Sequence, residues 1–154
     1  MSLNVIEVAS GVFVVDYSSS RGEVVAPFPN VNVDIAVGVF PIGEGIGIQK
    51  FTGQLLDVGF CKDLAIAGNK ILEIMSKNWA LKPMAIREFS AFYQAYRVKC
   101  LNKIILVPES VDFDEDGGIY CAYFYGIGDQ PTLGIYYGAS HLDERWSVAF
   151  RKES

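Results

Sequence analysis

Three groups of residues in this chain have types and spacings that could do chemistry. The first is the run Asp112-Phe113-Asp114-Glu115-Asp116-Gly117-Gly118. Alternating aspartates followed by glycine match the front of an EF-hand calcium loop, because a hard cation wants several oxygens on one tight turn. Asp112, Asp114 and Asp116 are thus the calcium candidates. However, Tyr123 stands where the bidentate Glu of such a loop belongs, and the flanks read as strands rather than helices. An acidic hairpin turn, with Asp and Gly serving turn geometry, explains the same residues, and this reading is preferred.

The second group is His141 with Asp143, Glu144 and Arg145. His141 is the sole histidine. An imidazole titrates near neutral pH and a carboxylate beside it can orient it, so His141 and Asp143 are the catalytic candidates. A partner among Cys61, Cys100 and Cys121 would make a nucleophilic version. A short turn capped by Ser140 accounts for the group without catalysis. The three cysteines are dispersed in apolar stretches, so they form neither a disulfide framework nor a zinc-type site. They read as small buried apolar residues in a reducing compartment.

The third group is aromatic. Tyr120, Tyr123, Phe124, Tyr125, Tyr136, Tyr137, Trp146 and Phe150 crowd the C-terminal part. Tyrosine is amphipathic and enriched at interfaces and pockets. Tyr123, Tyr125, Tyr137 and Trp146, with Arg145 beside them, are the candidate ligand- or partner-binding residues. Cross-strand core packing is the plain alternative. The glycines Gly43, Gly45, Gly47 and Gly53 fail the Rossmann and Walker spacings, so no cofactor is expected. They read as places where a helix or ring packs closely.

These groups need elements to position them. Asn4 to Val8 and Val12 to Tyr17 read as two short strands split by a Ser10-Gly11 hairpin. Ser18 to Asn30 reads as a loop, in which Glu23 to Ala26 pairs briefly with a neighbour. Val31 to Phe40 alternates with strict period two and reads as a half-buried strand. Ile46 to Phe51 reads as its return. Phe60, Leu64, Ala67, Ile71 and Met75 then recur at helical spacing, with Asp57 as N-cap. A second helix opens at Pro83 and runs to about Tyr96, although 92–101 also reads as a strand. Lys103 to Val107, ended by Pro108, then Ile119 to Tyr125, Thr132 to Tyr137 and Trp146 to Arg151 return the chain to β.

Strands grouped before and after a helical insert imply an α+β fold. We expect a mainly antiparallel, curved sheet of about eight strands, as one domain over residues 1–154. One long and one shorter helix lie between two β meanders and pack on one sheet face. Of the 154 residues, 51% are hydrophobic and 20% charged; mean hydropathy is +0.25. Too few charges coat the surface evenly, and leftover apolar surface usually marks an interface or a ligand site. The net charge of −5, without a basic run, argues against nucleic acid and anionic membranes. No basic leader or long apolar run is visible, which suggests a cytoplasmic protein.

The function these features favour is a non-enzymatic binding or assembly module. It would form a homo-oligomer through its apolar, tyrosine-rich surface. The alternative is a small-molecule-binding protein or small enzyme, with a pocket between sheet and helix rimmed by His141, Asp143 and Arg145. A protein partner would suit the same surface, and calcium binding at Asp112–Asp116 is the weakest of the three.

Overall fold

A computed structural model describes residues 6–57, 73–74, 77, 80–113, 119–138 and 146–153. They form an α+β fold on one mixed sheet. The strands are β1 (Ile6–Asp16), β2 (Asn30–Val31), β3 (Ile48–Asp57), β4 (Lys82–Pro83), β5 (Ile104–Phe113), β6 (Ile119–Tyr125), β7 (Thr132–Gly138) and β8 (Trp146–Glu153). The helices are α1 (Arg21–Val25), α2 (Val33–Val37), α3 (Ile86–Ala95) and α4 (Arg97–Cys100). The eight-stranded sheet runs β1-β3-β8-β5-β6-β7-β2, with β4 also on β8.

The sheet is mainly antiparallel but mixed, because two pairings are parallel: β2 with β7 and β5 with β8. The second pairing arises because β8 does not return beside β7. It inserts between β3 and β5 and so joins the two meanders. Its stretch Trp146–Phe150 is buried at every residue. A central strand covered on both faces reads as a continuous apolar run instead of an alternation.

Both faces are covered, which corrects the expectation of helices on one face. On one side Phe13, Phe51, Leu55, Ile105, Phe124, Leu133 and Ala149 meet Ile86, Phe89, Phe92 and Tyr93 of α3. The broad aromatic stripe of α3 is therefore core. On the other side Leu56, Leu106, Cys121, Trp146, Val148 and Phe150 meet Leu81 and Ile74. Glu73, Ile74 and Lys77 are helical, and Lys77 Nζ lies 3.0 Å from Glu73 Oε1. The remainder of the long helix expected from Phe60 lies outside the described residues.

Four local expectations are overturned, each for a physical reason. β1 is one strand, not a hairpin at Ser10-Gly11. It pairs with β3 along its length, and Gly11 sits opposite Gly53. Residues 21–25 are helical, because Ser20 and Glu23 form a reciprocal capping box. The period-two run from Val31 keeps only its first residue in a strand. Asn32 caps α2 by accepting from Asp34 N–H, and Gly38 ends it at φ +98°, a conformation glycine adopts freely. The helix buries Ile35 and leaves Val33 and Val37 exposed, so alternation here never meant a sheet face. Finally, Pro83 does not open a helix. It lies in β4 opposite Phe150, and α3 starts after Ala85, whose N–H is bound by Glu88 Oε1 at 2.9 Å. Helix α3 does end by Tyr96, and 97–100 form a further helical turn.

Candidate functional site

Pro108 does not end β5, as expected, but begins an irregularity in it. Val107 pairs with Ala122 and Asp112 with Tyr120, so residues 108–111 stand opposite the single residue Cys121. A bulge needs no complete ladder of N–H donors, which suits proline, and it can re-aim side chains. Glu109 N–H donates instead to Met84 C=O at 3.1 Å, just ahead of α3. Glu109 is thereby brought to the wall shared by two clefts. One, of about 500 Å³, is lined by Arg21, Pro41, Gly43, Glu44, Arg87 and Glu109. The other, of about 480 Å³, is lined by Asp34, Phe40, Pro41, Glu109, Val111 and Tyr120.

Beneath Glu109 lies a buried polar network. Glu88, on α3, is 3% exposed. Its Oε1 holds the Ala85 N–H, and its Oε2 accepts a short hydrogen bond from the Tyr17 hydroxyl. Arg151 Nε stands 2.9 Å from the same Oε2, although its N–H is not aimed along the contact. The Arg151 guanidinium also lies 4.3 Å above the Phe51 ring centre. Burial, followed by the hydrogen bond and charge of Glu88, pushes the Tyr17 phenol above its ordinary range. Glu109 is open to solvent at the cleft, but partial burial of its carboxyl, then the charge of Glu88, raises its pKa; Arg151 opposes this. The physical origin is the cost of a second negative charge beside Glu88 in a shielded place.

The two arginines at the cleft are largely committed to the backbone. Arg21 Nη1 donates to Ile35 C=O at 2.8 Å and Phe40 C=O at 2.9 Å. Arg87 Nε donates to Gly43 C=O at 3.1 Å, and its Nη1 donates to Ser19 C=O at 2.6 Å. They pin the 35–43 segment and the 19–20 turn around the clefts. The Phe40 and Tyr120 rings, 6.1 Å apart, give the second cleft an aromatic wall.

Of the residues singled out from sequence, Tyr123, Tyr125 and Trp146 share one sheet face. Trp146 is 7% exposed and Tyr125 37% exposed; Tyr123 is half-buried. Tyr136, opposite Cys121 in the register, joins their cluster, and Tyr137 stands opposite Tyr120. The Tyr136 ring makes edge contacts with Tyr123 at 5.7 Å and Trp146 at 5.3 Å. Trp146 belongs to the apolar cluster of this face, and Tyr123 and Tyr136 pack against that cluster. Burial, then the neighbouring phenols, raises the Tyr123 pKa. Asp112 takes its place in β5 opposite Tyr120, within an antiparallel β5–β6 pair. Asp114, Asp116, His141, Asp143, Glu144, Arg145 and Cys61 lie outside the described residues. Cys100 and Cys121 are fully buried. Burial pushes each thiol up to about 12.

Sequence reasoning missed Glu88, Glu109, Tyr17 and Arg151. The signals were slight: a lone Glu inside the aromatic stripe of α3, and a proline inside an apolar strand. Among the described residues no group of three or more metal-ligating side chains occurs. No helix of the described residues is long and apolar enough to cross a membrane. Comparison with known protein families, curated proteins and solved structures finds no match to this chain.

Proposed function

We propose that this protein binds a small molecule in the paired clefts around Glu109. The observation that carries the reading is the placement of Glu109 by a bulge at the junction of a polar cleft and an aromatic one. Bulges that re-aim a side chain recur beside functional sites. The available polar group is an acceptor, because Arg21 and Arg87 already serve backbone carbonyls. Glu44 and Asp34 add negative charge at the rims. The ligand that suits this arrangement is a flat ring carrying an amine or amide donor. Its ring lies along Phe40 and Tyr120, and its donor meets Glu109.

A screen of small aromatic amines, read by backbone amide shifts, tests this. Saturable shifts at Glu109, Val111 and Tyr120, weakened in Glu109→Gln, are expected. Hits that leave those amides unmoved would remove the reading.

A second reading, self-association, is favoured by a separate observation. Val12, Val14 and Ile48 are 44%, 54% and 72% exposed. The register of β1 with β3 places all three on one sheet face. Apolar side chains gathered in this way commonly mark an interface. Sedimentation of a single monomeric species at high concentration would dismiss it.

A further inference from the structure

β1 is an edge strand of the sheet, and the direction of its backbone groups follows from its pairing. Tyr17 N–H donates to Gly47 C=O at 2.9 Å. In an antiparallel ladder the hydrogen-bonded pairs alternate, so in register Val15, Phe13 and Gly11 bond inward to β3. Ser10, Val12, Val14 and Asp16 therefore turn their N–H and C=O groups to the free edge.

That edge is covered unevenly. Lys99 Nζ takes Ser10 C=O, and the Tyr96 hydroxyl takes Val12 C=O, both by short hydrogen bonds. Lys99 also sits 4.6 Å above the Tyr96 ring centre. A Cβ at Gly11 would fall 2.3 Å from that ring, so the tyrosine sits directly against the strand. At the other end Asp16 C=O accepts from Ser19 N–H at 3.2 Å and Ser19 Oγ at 2.8 Å. Between these caps, both backbone groups of Val14 point outward and have no partner among the described residues. They face a groove of about 530 Å³ between β1, α1 and α3, which Val14, Asp16, Glu23, Ala91 and Gln94 help to line.

We propose that this groove is a docking slot for an extended, basic peptide segment, which adds to β1 as a short antiparallel strand opposite Val14. A strand edge supplies main-chain bonds, and alternate side-chain positions supply specificity. The peptide residue opposite Val14 places its side chain on the Val12–Val14 face, which favours an apolar one. Its two neighbours turn toward the helical wall. There Glu23 supplies the carboxylate, while Asp16, which the register places on the Val12–Val14 face, adds its charge at the slot's end. Ser18 holds Asp16 below the ordinary carboxylate range. Among the described residues Arg87 is the one cation lining the groove, and it is committed to Ser19 and Gly43. The slot is too short for two copies of β1 to pair along their edges, because Tyr96 and Lys99 occupy the adjoining carbonyls. A separate peptide is thus the occupant.

The test is titration of the full chain with acetyl-Lys-Val-Lys-Val-Lys-amide, read by backbone amide shifts. Saturable shifts centred on Val14, Asp16 and Ala91 are expected. The same peptide N-methylated at both valines keeps every side chain but loses the donor for Val14 C=O, and should bind about tenfold more weakly. The Glu-Val-Glu-Val-Glu analogue should lose at least as much. Glu23→Gln preserves the capping box and should weaken the lysine peptide about threefold. Absence of saturable binding, equal affinity for the N-methylated peptide, or shifts centred elsewhere would each overturn the proposal.

Discussion

Glu109 is a carboxyl whose ionisation the fold resists, and the sign of the effect is testable. A carboxyl with a raised folded pKa favours the neutral form in the native state. Its contribution to stability is complete below its unfolded pKa and is lost as pH rises through the folded value. Glu109→Gln keeps the neutral shape at every pH. The variant should melt at the wild-type temperature in acidic buffer and above it in mildly alkaline buffer, measured by calorimetry. An amine ligand at Glu109 would act in the opposite sense, favouring the carboxylate. Cys100 and Cys121 give a second residue-scale expectation. With thiols raised to about 12 by burial, neither forms enough thiolate to react at neutral pH. Mass spectrometry after mild alkylation should find both unmodified in the native protein and modified after unfolding.

At the scale of elements, the helical pieces owe their existence to caps and packing rather than propensity. Helix α1 has five residues, far fewer than an isolated helix needs. Its Ser20–Glu23 box and the bond from Ser90 Oγ to Val24 C=O at 2.6 Å hold it against α3. Ser20→Ala should cost about 1 kcal/mol in chemical denaturation. The signature Ser20-x-x-Glu23 is legible in the sequence, but the β-branched pair Val24-Val25 beside it suggests a strand. Helix α3 was legible because an aromatic stripe at helical spacing has one good solution, a buried face. Its fit is close: a Cβ at Gly53 would fall 2.6 Å from the Phe92 ring. The edge of β1 carries its own protection. A bare edge strand recruits other chains, and Tyr96 and Lys99 block two of its carbonyls. Tyr96→Phe combined with Lys99→Ala should raise concentration-dependent self-association, seen by light scattering, while far-ultraviolet circular dichroism stays unchanged.

At the scale of the whole molecule, the contact of buried Glu88 with part-buried Arg151 ties α3 to β8, the strand that joins the two meanders. Removing one partner of a buried pair leaves an uncompensated charge and typically costs about 3–5 kcal/mol. Arg151 is part-exposed, so Arg151→Ala should destabilise the chain by less than this, about 2 kcal/mol, with Glu88 retaining Tyr17 and Ala85. Glu88→Gln with Arg151→Met should recover much of the loss, which urea denaturation of both variants would show. The sequence by itself determined the α+β class, the aromatic face of α3, the core character of Cys100 and Cys121, and most strands after residue 100. Each follows from local pattern: period, turn residues, and apolar runs. Only the tertiary structure decided that β8 crosses to the centre, that both sheet faces are covered, and that the Val31–Phe40 alternation becomes a helix with Ile35 inward. It also assembled Tyr17, Glu88, Glu109 and Arg151, which lie far apart in the chain. Their meeting depends on strand order and on a bulge, and neither leaves a periodic trace in sequence, because both are set by which distant surfaces bury each other best.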